Sequence, residues 1–120
     1  EESDRKSSYD ILVALSELDE DVMDWILKME PFGGDFPYPV FKAEKVKVHK
    51  LRELRGNHLQ MEINQNGSRR FSSIAFGMGT HKNKIEQNNY DVTIIFEPTW
   101  NVYNRKRSIQ LAIKAMEFDS

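Results

Sequence analysis

Two aromatic rings and three consecutive cations fall within eight residues near the end of this chain, Trp100-Asn101-Val102-Tyr103-Asn104-Arg105-Lys106-Arg107. Rings offer flat apolar faces, and guanidinium groups offer fork-shaped donors. Together these are the chemistries that hold stacked bases and a line of phosphates. A second set of the same kind comprises Lys50, Arg52, Arg55 and His58, with Arg69-Arg70-Phe71 further on. Lys82 and Lys84 form a third, sparser patch. The plainer alternative is a set of solvated hairpin rims, with Trp100 packed on the body and the cations serving solubility.

Catalytic patterns are missing by comparison. The sequence holds no Asp-His-His and no Gly-Gly-His, and His49, His58 and His81 stand at spacings that suggest no metal site. Gly77-Met78-Gly79 is too short a signal for a phosphate-binding loop. There is no cysteine, hence neither a disulfide framework nor a thiolate zinc site, which fits a reducing cytoplasm. No apolar run approaches the roughly 18 residues that cross a bilayer, and no signal-peptide pattern opens the chain. We therefore expect no membrane association.

Charge is segregated. Residues 1–30 hold ten acidic and three basic residues, whereas residues 31–120 hold nine acidic and fourteen basic ones. Such asymmetry points to a polyanion-binding part beside a structural or partner-facing part, or more plainly to a solvated acidic helix beside a mildly basic β domain. With 120 residues and 39% hydrophobic content, the chain can build one core but not two. It starts with glutamate, and we expect a piece of a longer protein.

The elements that must position these side chains follow from periodicity. Glu1–Ser8 is polar and is expected to fray, and Tyr9–Leu15 reads as a short strand or helical turn. Asp19 makes a good N-cap with Glu20 and Asp21 in the first turn, and Val22, Trp25, Ile26 and Met29 form one apolar helical face. A helix is expected over 19–30, with Trp25 as its core anchor. Glu30–Phe41 then carries three prolines, two glycines and five apolar residues, which reads as a packed strap rather than a linker.

Beyond the strap the period becomes two. Ala43, Val46 and Val48 mark a long first strand, and Leu59, Met61 and Ile63 a second. Asn66-Gly67 is a hairpin turn into a third strand over Phe71–Phe76. Thr80–Asn89 fits a short helix or loop. Val92, Ile94 and Phe96 mark a fourth strand broken by Pro98, and Ile109, Leu111, Ile113 and Ala115 a fifth. Phe41, Phe76 and Phe96 are expected in the core. Five strands in the order β-β-β-α-β-β predict a mainly β, five-stranded OB-fold Greek-key barrel preceded by an amphipathic helix, with an SH3-like barrel as rival. Residues 1–40 would form the N-terminal strand, helix and strap packed on a barrel of residues 41–120. In that layout Trp100–Arg107 is the loop between the last two strands and Arg55 lies in the first hairpin turn, both common ligand positions.

The chain also resembles the C-terminal OB region of RecJ-type single-strand-specific exonucleases. The resemblance rests on Leu15-Ser16-Glu17-Leu18, Glu30-Pro31-Phe32-Gly33 with Pro37 and Pro39-Val40-Phe41, His58-Leu59, Ile74-Ala75-Phe76-Gly77, Asp91-Val92 and Asn104–Leu111. It covers roughly residues 16–118 and departs at Gly34 and at Asp35-Phe36, where the family usually carries other residues. It implies a parent hydrolase that degrades single-stranded DNA from the 5′ end in repair and recombination, with Mn²⁺ or Mg²⁺ in a separate catalytic domain. Its implied partners are single-stranded DNA, the parent's catalytic domains and a single-strand-binding protein. This chain would then be the accessory binding module and carry no catalysis itself. The nucleic-acid-binding residues expected are Trp100, Tyr103, Arg105, Lys106, Arg107, Lys50, Arg52, Arg55, His58, Arg69 and Arg70. The competing expectation is a docking module for a protein partner, in which the basic loops play no part.

Overall fold

The structure is a computed structural model that describes residues 8–28 and 39–118. Most of the strap, residues 30–38, therefore lies outside the described residues, as do Met29 and the first seven positions. The described residues form six strands: β1 (Ile11–Leu12), β2 (Phe41–Leu54), β3 (His58–Asn64), β4 (Phe71–Ala75), β5 (Asp91–Tyr103) and β6 (Lys106–Glu117). The described residues also form two α-helices, α1 (Glu20–Leu27) and α2 (Lys82–Gln87), and short 3-10 turns at Leu15–Glu17 and Gly79–His81.

The sheet runs β1-β2-β3-β4-β6-β5, and β5 pairs back onto β2. Strands β2 to β6 thereby close into a five-stranded barrel. Every barrel pairing is antiparallel except β4–β6, which is parallel. β1 adds alongside the start of β2, with Ile11 opposite Phe41. This is the expected OB layout.

Closure depends on the length and bending of β2. Its first half pairs with β5, its second half with β3, and Lys47 is shared by both ladders. The register slips twice, between Ala43 and Val46 and between His49 and Arg52. At each slip a lysine adopts positive φ, 55° at Lys45 and 52° at Lys50. These bulges add a residue on one side and curl the strand around the barrel. The loose alternation of Ala43, Val46 and Val48 in the sequence is the trace of the first bulge.

Strict alternation builds the core elsewhere. Leu59, Met61 and Ile63 point inward from β3, Phe71 and Ala75 from β4, and Ile109, Leu111 and Ile113 from β6. Phe41 and Phe96, both buried, stack where the β2–β5 ladder ends, with ring centroids 5.8 Å apart. Asp19 caps α1 by accepting from the Val22 N–H at 3.0 Å, as its position implies. α2 contributes one fully buried side chain, Ile85.

Three expectations need correction. Trp25 is not a core anchor, since it is 61% exposed. The helix docks through Met23 and Ile26 instead, and at about 100° per residue Trp25 is turned away from that face. Pro98 does not break β5, which runs on to Tyr103. The last β5–β2 pair is Phe96 with Phe41, so Pro98 lies where the strand has become an edge and a missing donor is tolerated. Phe76 is not core either. Ala75 points inward, so the next residue points outward, and Phe76 is 64% exposed.

One buried charge went unread in the sequence. Lys42 is buried with its ammonium 3.3 Å from Glu117 and 5.0 Å from the Tyr9 ring centre, which pins the end of β6 and the N-terminal segment to β2.

Phe96→Ala should cost about 3–5 kcal/mol in urea unfolding because it leaves a cavity at a fully buried ring that stacks on Phe41. Trp25→Ala should change stability by less than about 0.5 kcal/mol, which a core anchor could not do.

Candidate nucleic-acid interface

The expected loop between the last two strands is a two-stranded arm. β5 and β6 stay paired through Asn101–Ser108, Val102–Arg107 and Tyr103–Lys106. They are joined by the two-residue turn Asn104-Arg105, with φ of 52° and 64°. Two successive positive φ values make a type I′ turn, whose twist matches that of paired strands. Arginine occupies the second position, where glycine is usual, so the side chain is held at the tip against a backbone preference. Tyr103 is 74% exposed, and Arg105 and Lys106 are exposed beside it. Among the described residues neither cation has a carboxylate within ion-pair distance.

At the base of the arm Trp100 is half-buried against the core. The Arg107 guanidinium lies 4.0 Å over its ring, a cation–π contact. The other side of Arg107 reaches Asp24 of α1 at 3.7 Å. Trp100 Nε1 is buried with no hydrogen-bond partner among the described residues. Trp100 thus supports the arm, and Arg107 covers a ring face that a base could otherwise use.

The β3–β4 turn stands next to this base. Gln65 orders it: its amide oxygen accepts from the Leu15 N–H at 2.8 Å and its nitrogen donates to the Glu44 carbonyl at 2.6 Å. Ser68 closes the turn by accepting from the Gln65 N–H at 3.0 Å. Arg69 and Arg70 emerge from this fixed point. Arg69 pairs with Glu20 at 3.4 Å, and Arg70 with Glu62 at 3.3 Å. Lys50 reaches the same Glu62 at 3.8 Å. A cleft of about 430 Å³ lies between, lined by Arg69, Arg70, Arg107, Ser72, Glu20 and Glu62 among others.

The structure therefore brings Arg69, Arg70, Trp100, Tyr103, Arg105, Lys106 and Arg107 to one end of the barrel, with Lys50 linked to them through Glu62. Arg52, Arg55 and His58 lie elsewhere. His58 begins β3 opposite Leu54, whereas the cleft adjoins the Ile63–Phe71 pair five residues along. That spacing is about 17 Å. The two ends belong to one surface, because Gln60, Ile74 and Ala112 form one outward row and Glu62, Ser72 and Gln110 the next. Lys82 is engaged by Glu86 one helical turn on, at 2.7 Å, and that carboxylate holds its pKa above the usual lysine value.

Sequence reading missed the carboxylates. Glu20, Asp24 and Glu62 stand 3.3–3.8 Å from the cations of the cleft, all at partly exposed positions where a pair contributes about 0–1 kcal/mol. Only the outward phase of Glu62 on β3 could have hinted at this. Among the described residues no three His, Asp or Glu side chains converge to hold a metal ion.

A closed five-stranded barrel with a helix between its third and fourth strands, carrying basic turns at its rim, defines an OB-fold domain. The model of the RecJ OB domain family matches residues 9–115, and the chain belongs to that family. Among solved structures it is similar to RecJ in complex with Mn²⁺ from Thermus thermophilus, with a TM-score of 0.71 and 16% identity. The match covers 97% of this chain and 16% of that one, so this chain spans about one sixth of that RecJ. No curated protein matches.

Arg105→Gly should keep or raise the unfolding free energy, by up to about 1 kcal/mol, because glycine accepts positive φ without strain. A thermal melt against the parent chain checks this.

Proposed function

We propose that this domain binds single-stranded DNA as the accessory module of a RecJ-type 5′–3′ exonuclease acting in the cytoplasm in DNA repair and recombination. The observation that carries the reading is the arm: Tyr103, Arg105 and Lys106 project without acidic partners among the described residues, above a cleft lined by Arg69, Arg70 and Arg107. Phosphates would follow the cations while bases meet the exposed ring, and neither contact reads sequence. Family membership supports the same reading. We assign the divalent-ion chemistry of such a nuclease to catalytic domains elsewhere in the parent chain.

A second reading, docking onto other domains or a partner, draws on the exposed Trp25, Leu12 and Tyr9. These lie on the N-terminal elements rather than on the arm itself.

Binding of a dye-labelled single-stranded oligonucleotide, followed by fluorescence anisotropy, tests the proposal. Affinity should fall steeply with salt, since each neutralised phosphate releases counterions. Arg105→Glu with Arg107→Glu should weaken binding at least about tenfold at low salt. Unchanged binding by that double variant would remove the arm from the site.

The carboxylates give a prediction of opposite sign. Glu20→Gln with Asp24→Asn frees Arg69 and Arg107 from their pairs. It should tighten binding by about two- to fivefold, the scale of a half-exposed ion pair. A decrease in affinity would mean that these pairs organise the cleft rather than compete for it.

A further inference from the structure

Phe76 has a role to fill. It stands one residue past the end of β4, on the outward side and 64% exposed, and it is displayed by a rigid support. The His58 ring meets it edge-on with centroids 5.1 Å apart. His58 is itself fixed: its Nδ1 accepts from the Gly77 N–H at 2.8 Å, which puts the hydrogen of the neutral ring on Nε2. Asn57 ties the same two turns together. Its side chain donates to the Gly77 carbonyl at 3.3 Å, and its carbonyl accepts from the Gly79 N–H at 3.1 Å.

Two glycines let this packing occur. A Cβ on Gly56, whose φ is +94°, would come within 3.0 Å of His58 Nε2, and one on Gly79 would collide with the Asn57 side chain. The two turns are thus closed tightly around a histidine whose visible effect is to prop an exposed phenyl ring. Core stability gives no reason for this, because Phe76 faces away from the barrel.

The surroundings say what the ring could meet. Arg52 shares the outward row of Gln60 and Ile74, immediately next to the row of Leu54 and His58. Arg55 lies in the turn that carries Gly56 and Asn57. Neither arginine has a carboxylate within ion-pair distance among the described residues, in contrast to the cations of the cleft. A pre-organised aromatic face beside unpaired guanidinium groups suits a base attached to a phosphate. It lies about 17 Å along the strands from the cleft, on the same continuous surface.

We propose that Phe76, held by His58 and flanked by Arg52 and Arg55, is a stacking platform for one nucleobase of a single strand that also contacts the arm. This rests on the nucleic-acid reading above and extends it to the opposite end of the strand face. The track from arm to platform then spans several nucleotides.

The test compares the 120-residue chain with Phe76→Ala, Phe76→Trp and the Arg105→Glu, Arg107→Glu double variant, on two labelled probes. One probe is oligothymidylate and the other an abasic deoxyribose-phosphate oligomer of equal length. Phe76→Ala should weaken thymidylate binding by about 5- to 100-fold, the cost of one lost base–aromatic stack. It should leave abasic binding and the melting temperature unchanged, and Phe76→Trp should bind thymidylate at least as well as the parent. If Phe76→Ala binds thymidylate like the parent while the arginine variant fails, the platform is overturned and the arm reading stands. Equal weakening on both probes also overturns it, because the ring would then be acting through the backbone contacts. If the parent binds neither probe, both the reading and the platform fall, and Phe76 is left to a protein contact.

Discussion

The structure depends on one long strand that serves two neighbours. β2 must pair with β5 along its first half and with β3 along its second, or the barrel does not close. A flat strand of 14 residues could not do this; the bulges at Lys45 and Lys50 turn it. Closure pairs the strand edges of the barrel body, which would otherwise invite aggregation, and leaves edges at β1 and along the arm. It also fixes which ends of the barrel meet. The β3–β4 turn is brought to the base of the β5–β6 arm, and the β2–β3 turn to the end of β4. Each meeting gathers arginines with an aromatic ring, and the proposed binding surface runs between them.

Electrostatics distinguishes the two ends. The cleft cations face Glu20, Asp24 and Glu62, two of which come from the acidic N-terminal helix. The tip of the arm and the Phe76 end have no such partners among the described residues. Sequence-wide charge segregation thus becomes a local pairing, in which part of the acidic N-terminal surplus sits against the basic cleft. A polyanion entering the cleft exchanges weak, half-exposed pairs for phosphate contacts, so the free-energy gain there is smaller than a count of arginines implies.

Much of this was legible before the structure. Period-two alternation on β3 and β6, the Asn66-Gly67 turn and the Asp19 cap led directly to strands, hairpin and helix, and the strand order led to the barrel. Besides Pro98, three readings failed for identifiable reasons. Trp25 was placed on a helical face that included Met29, but the docked face is set by Met23 and Ile26 from an eight-residue helix. The arm looked like a loop because its turn is Asn104-Arg105, without the glycine that announces a hairpin. Phe76 looked like core because it is aromatic, although its odd spacing from the buried Phe71 already put it on the other face. The ion pairs of the cleft join residues 8 to 83 positions apart, which no local pattern encodes.

If one strand face, from the arm to the turn at Phe76, receives a single strand, the whole of that face should respond when the strand binds. Backbone amide shifts of the isotope-labelled chain, recorded during titration with a short single-stranded oligonucleotide, test this most directly. Perturbations should concentrate at Arg69–Ser72, Tyr103–Ser108 and the β3 residues between His58 and Glu62, with α1 disturbed only at Glu20 and Asp24. Shifts clustered instead around Trp25 and β1, or none at low salt, would contradict it.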